Sequence, residues 1–158
     1  MGIFDAFKRP AESSFSAAGD YARYIDATKN ISSMYFKQLE KIQSDWSLLY
    51  NLKDYTGFRA RRFEDLCKNN IHLYKQMNSI ALTYHTTPAP NAPAFKRLAM
   101  LYEKQEKYND SVAVCVDALD HNAWGDGMQG RLVRMLKKAK RDPNAHEQFL
   151  IDKDFRSR

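Results

Sequence analysis

Apolar residues recur at three- and four-residue spacing along most of this 158-residue chain, a period that predicts packed α-helices and little else. Tyr21, Tyr24 and Ile25 form a short early patch. Ile31 then opens a longer stripe through Tyr35, Leu39, Ile42, Trp46, Leu49 and Tyr50. Asn51 to Gly57 contains a break, with Thr56 placed to cap the next helix. Phe58, Phe63, Leu66, Tyr74, Met77, Ile80, Ala81 and Tyr84 carry the second stripe, in which Asn69-Asn70 either kinks the helix or marks a turn. Pro88, Pro90 and Pro93 then interrupt the pattern, over a stretch short enough to be a helix–helix connection. Two shorter helices are expected at 94–105 and 109–119. A glycine-rich turn at Gly125–Gly130 leads into a basic helix near 131–141, which Asp142-Pro143 stops. Six glycines and five prolines are too few for a β-sandwich, which needs a turn signal every ~8–12 residues.

The ends read differently from the middle. Ile3, Phe4 and Phe7 lie on one side of a single turn that Pro10 is expected to stop, and a Ser/Ala-rich linker follows to Ala18. The start Met1-Gly2 suggests myristoylation, but Ala6 stands where that motif needs Ser or Thr. A frayed or docked terminus is therefore favoured over a peripheral membrane contact through residues 1–10. No apolar run approaches the ~18–20 residues of a membrane span. Residues 1–18 are thus read as an N-terminal segment and linker, 19–142 as one helical domain, and 143–158 as a polar tail, either a short helix or disordered.

Residues 93–123 carry a repeat signal. Phe95, Leu98, Ala99 and Tyr102 share a face of one helix, and Ala113, Cys115, Ala118 and Leu119 line the next. Ala99 and Ala118 allow close approach, while Tyr102 and Tyr108 fill the wedge between the two helices. This hairpin resembles the tetratricopeptide repeat (TPR), a helix–turn–helix unit of 34 residues. The same step from Leu98, Ala99 and Tyr102 reaches Leu132, Val133 and Leu136, so the basic helix looks like the start of a further unit acting as a cap. Two departures stand out: Ser111 occupies one of the family's small positions, and Ala123 stands where a unit usually ends in Pro. Upstream, Phe63–Cys67 echoes Phe95–Ala99 at the wrong offset. One clean unit cannot bury its own apolar face, so the long upstream helices must supply the missing wall. The chain is also similar to a group of small bacterial TPR-like proteins, a resemblance that implies a fold and a general binding role but no activity.

Several catalytic or ligand motifs fail on inspection. Gly125–Gly130 satisfies G-x-G-x-x-G, but no strand runs into it and both flanks are helical, so a dinucleotide site is rejected. Asp120-x-Asn122 begins like a calcium loop and has Arg131 where a bidentate Glu is required. The four histidines are scattered. Cys67 and Cys115 read as reduced, small apolar side chains, as in a cytoplasmic protein. No enzyme, cofactor or metal is expected.

The charge is more informative. Residues 129–141 hold Arg131, Arg134, Lys137, Lys138, Lys140 and Arg141 with no acid, and the other 19 basic residues balance the 19 acids. The net +6 is therefore a local feature.

These readings converge on an all-α stack of antiparallel hairpins, a short TPR-like solenoid with a C-terminal capping helix. Its expected role is a non-catalytic scaffold for a protein or peptide segment. Helical phase nominates Lys96, Met100, Glu103 and Lys104 as exposed groove residues, with Arg131 and Arg134 as an anion-binding rim. The alternative is nucleic-acid or anionic-surface binding through the basic helix 129–141. Self-association stays open.

Overall fold

A computed structural model describes the backbone of residues 3–157 and the side chains of residues 17–157. Six helices follow one another, and the described residues contain no strand: α1 (Ile3–Leu52), α2 (Phe58–Thr83), α3 (Pro93–Lys104), α4 (Tyr108–Asp120), α5 (Met128–Lys138) and α6 (Ala145–Asp152). Each packs on its successor, and α1 also touches α3 while α4 touches α6. One continuous core runs through all six, from Tyr35 on α1 to Leu150 on α6.

The apolar stripes bury as their spacing predicts. Ile42, Trp46 and Leu49 of α1 meet Ala60, Phe63 and Cys67 of α2, with the Trp46 and Phe63 ring centres 5.6 Å apart. Phe95, Leu98 and Ala99 of α3 pack with Cys115, Ala118 and Leu119 of α4. Fully burying one such large side chain contributes roughly 1.5–3 kcal/mol, so the core is set by these stripes and not by helix propensity.

Local details correct the expectations at several points. α1 continues through Pro10, because a proline removes one backbone hydrogen bond without making the next turns impossible. The expected contact of Phe4 and Phe7 lies outside the described side chains. Thr56 does not cap α2. Gly57 takes that position in an extended conformation without a side-chain cap, and Asp54 Oδ1 accepts the Gly57 N–H at 3.1 Å. Asn69-Asn70 leaves α2 unbroken, because Asn70 is fully buried and its amide donates across to the Tyr35 carbonyl (3.0 Å) and Gln38 Oε1 (3.1 Å).

On α4 the inward small position belongs to Ser111, whose hydroxyl donates to the Ala99 carbonyl at 2.8 Å. Ala113, expected inward, is exposed, and Val112 is buried in its place. The glycine turn is tied to the proline connector. Gly125 N–H donates to the Pro90 carbonyl (2.8 Å), Asp126 accepts from Ala92 N–H (3.0 Å), and a Cβ on Gly125 would run into Asn91 Oδ1. Gly127 sits at φ +71, the left-handed region that glycine enters without strain, and α5 starts there.

The basic helix is shorter than expected and ends at Lys138, which places Arg141 in the following loop. The polar tail is ordered as α6. Asn144 and Glu147 form a reciprocal capping box, Leu150 is buried, and the Gln129 amide donates to the Leu150 (2.9 Å) and Lys153 (2.7 Å) carbonyls.

Candidate binding face

α3 buries Ala94, Phe95, Leu98, Ala99, Leu101 and Tyr102, which leaves Lys96, Arg97, Met100, Glu103 and Lys104 half-buried or exposed along its outer side. Arg97 and Lys104 reach from this face towards α1. Arg97 donates to Gln43 Oε1 at 3.0 Å, and its guanidinium carbon stands 5.7 Å from the Trp46 ring centre. The Lys104 ammonium lies 5.8 Å from the ring centres of both Tyr50 and Tyr55. Glu103 reaches the other way, to α5, accepting from Arg131 (3.1 Å) and Lys138 (2.6 Å). The outer surfaces of α1, α3 and α5 are thereby joined side by side.

The charges on this face are unequally compensated. Burial alone would raise the Glu103 pKa, but the hydrogen bond from Lys138 and the charges of Lys138 and Arg131 outweigh it, so its carboxyl stays below the ordinary value. Glu103 is therefore an anion held inside the fold. Arg97 has no carboxylate partner among the described residues; burial lowers its pKa, and Arg131 lowers it further. Arg131 is spent on Glu103 with its side chain only 11% exposed, yet its Nε is buried without a hydrogen-bond partner. Beside Glu103, then, the face presents more positive charge than it neutralises.

The nominated residues fall into two groups. Met100, Glu103 and Lys104 share the face, Lys104 being exposed and Met100 and Glu103 half-buried. Lys96 is half-buried on the same helix and makes no ion pair among the described residues. Arg131 and Arg134 do not act alike: Arg131 points into the α3–α5 seam, whereas Arg134 is exposed and without an ion pair among the described residues. Arg97, which the helical pattern did not single out, bonds to Gln43 and lies over Trp46 of α1. Phase alone places it outward with Met100 and Lys104, but only the packed neighbour reveals Trp46 and Gln43 beside it.

No family model, curated protein or solved structure matches this chain. What the face binds has to be argued from its own residues. A depression of about 460 Å³ lies between α2, α3 and α4, and its two lysines already have carboxylate partners: Lys75 with Asp117 (2.7 Å) and Lys68 with Glu64 (3.0 Å). Tyr102 donates to Glu64 at its edge (2.6 Å), and its own pKa is pushed up to about 12, chiefly by burial. Among the described residues no group of three or more His, Cys, Asp or Glu side chains could hold a metal ion, and no helix is long and apolar enough to cross a membrane.

Proposed function

We propose that this chain is a non-catalytic scaffold, a short TPR-like stack whose α1–α3–α5 face holds an acidic peptide or protein segment. The observation that carries the reading is Arg97: a half-buried guanidinium braced by Gln43 and Trp46, with no carboxylate of its own. A ligand carboxylate supplies the missing charge, and Arg offers the planar donor fork that suits it. Met100 adds adaptable apolar contact, and Lys104, held over two tyrosine rings, adds a second cation.

Nucleic-acid binding draws less support. Three of the six basic residues of 129–141 are engaged within the fold: Arg131 and Lys138 with Glu103, and Arg141 with Glu147.

Arrays of acidic, neutral and basic peptides test the proposal. Retention should fall in that order, and Arg97→Glu should remove the acidic preference at least tenfold, the size expected for about 1.4 kcal/mol. Lys140→Glu, away from the face, should leave it unchanged. Equal retention of acidic and basic peptides, or an Arg97→Glu chain that binds as before, would overturn the assignment.

A further inference from the structure

The tip of the α1–α2 hairpin gathers exposed apolar side chains and uncompensated cations. Leu48 and Leu52, one turn apart at the end of α1, are 44% and 52% exposed, and Phe58, which opens α2, is 64% exposed. Arg59, Arg61 and Arg62 come directly after it, all three exposed. Leu48 shares with Arg59 and Arg62 the walls of a shallow cleft of about 160 Å³. The guanidinium carbon of Arg62 stands 5.6 Å from the Phe58 ring centre. Apolar and cationic side chains thus adjoin across the two helices.

None of the three arginines has an ion pair or a side-chain hydrogen bond to an acid among the described residues. The acids around them are engaged elsewhere or out of reach. Asp45 pairs with Lys41 (2.9 Å), Glu64 pairs with Lys68 (3.0 Å), and Asp65 forms no ion pair. Asp54 of the loop accepts from Gly57 N–H, and its charge offsets Lys53. Folding supplies no reason for this placement, because the first turn of a helix favours acids over cations and α2 has no acid there.

We propose that this tip docks on an anionic lipid surface, with Phe58, Leu48 and Leu52 dipping below the headgroups while Arg59, Arg61 and Arg62 meet their phosphates and carboxylates. The uncompensated arginines call for an anionic partner, and the exposed apolar side chains narrow the choice. A nucleic-acid backbone or an acidic peptide answers the arginines and leaves Leu48 and Leu52 in water. A lipid interface answers both, since apolar side chains settle about 5–10 Å into the headgroup and acyl boundary and cations stay at its charged surface. The cleft is also smaller than the roughly 300 Å³ at which a pocket encloses a small ligand. Leu48 and Leu52 lie across α1 from Gln43 and Tyr50, so a docked chain keeps its α1–α3–α5 face free.

Vesicle flotation of the full chain tests this. The chain should float with vesicles of about 30% phosphatidylserine in phosphatidylcholine and not with phosphatidylcholine alone. Arg59→Gln with Arg62→Gln should weaken partitioning about 25-fold, about fivefold for each cation. Leu52→Ser with Phe58→Ser should weaken it about tenfold. Helical circular dichroism and melting midpoint should stay unchanged in both, since all four side chains are exposed. Tryptophan emission of a Phe58→Trp chain should shift to the blue on the anionic vesicles. Arg97→Gln on the peptide face and Arg134→Gln on α5 should float like the parent. Absence of flotation, undiminished flotation of the Arg59/Arg62 variant, or loss of flotation on Arg134→Gln would each overturn the proposal. So would an Arg59/Arg62 variant that keeps its flotation but loses retention on polyglutamate or on a short duplex, which would assign the tip to an acidic protein or a nucleic acid.

Discussion

Asn70 illustrates how one polar residue can be mistaken for a break. In an Asn-Asn pair its preference for turns is a fair expectation, yet here it is fully buried and its amide joins α2 to α1. The information that decides between turn and bridge lies 35 residues away, at the Tyr35 carbonyl. Removing the amide should cost about 1–3 kcal/mol, the range for a lost buried hydrogen bond with a partner left unmet. Urea unfolding of Asn70→Ala should show that loss with an unchanged denaturant slope. Asn69→Ala, on the exposed side, should stay within about 0.5 kcal/mol of the parent. The binding face obeys the same logic. Lys104 and Met100 follow from helical phase alone, but whether an arginine is free or spent depends on which helix lands beside it. That is why Arg131, nominated as an anion ligand, is neutralised by Glu103, and why Arg97 escaped notice.

At the level of elements, the periodic segments were legible and their edges less so. The bounds of α3 and α4 lie within a residue of those expected, because each has a full apolar face and a clear turn between. The tail was ambiguous because its anchors are few and distant: Leu150 in the core, Gln129 reaching across to its carbonyls, and the paired Arg141–Glu147. Both Glu147 oxygens accept from Arg141 at 2.8 Å, and a hydrogen bond also comes from the Asn144 backbone. Arg141 first, and the capping geometry with it, hold the Glu147 carboxyl below its ordinary range despite burial. For a carboxyl lowered in this way, the stabilisation is complete above its unfolded value of about 4.3 and is lost as pH falls through the lower folded value. Amide exchange in α6 should therefore accelerate as pH is lowered below about 4, relative to the intrinsic rate and more than in α2. Glu147→Gln should exchange faster at neutral pH and lose most of that pH dependence. Equal protection of α6 in both chains across this range would exclude the ion pair as its anchor.

Across the whole molecule, charge and shape are arranged by the stacking order. Helices that follow one another in sequence pack on one another, so the succession of apolar stripes was enough to read an all-helical fold. The length of α1 was not legible, because Pro10 and the Ser/Ala-rich run resemble a linker and only the folded chain shows α1 at 50 residues beside 26 in α2. The +6 charge was traced correctly to residues 129–141 but not to its accounts with the rest of the chain. Arg131, Lys138 and Arg141 are matched by Glu103 and Glu147, leaving Arg134, Lys137 and Lys140 without an ion pair among the described residues. This distribution sets a limit on polyanion binding. Each phosphate neutralised contributes about −0.9 to the slope of log affinity against log salt on duplex DNA, so three cations allow about −2.7 and all six about −5.4. Titrations of the full chain with a short duplex between about 50 and 200 mM salt should give a slope no steeper than about −3, with weak affinity throughout. A slope near −5 would mean that DNA breaks the Glu103 and Glu147 pairs, and the basic helix would then have to be treated as a nucleic-acid surface and not as the end of a stack.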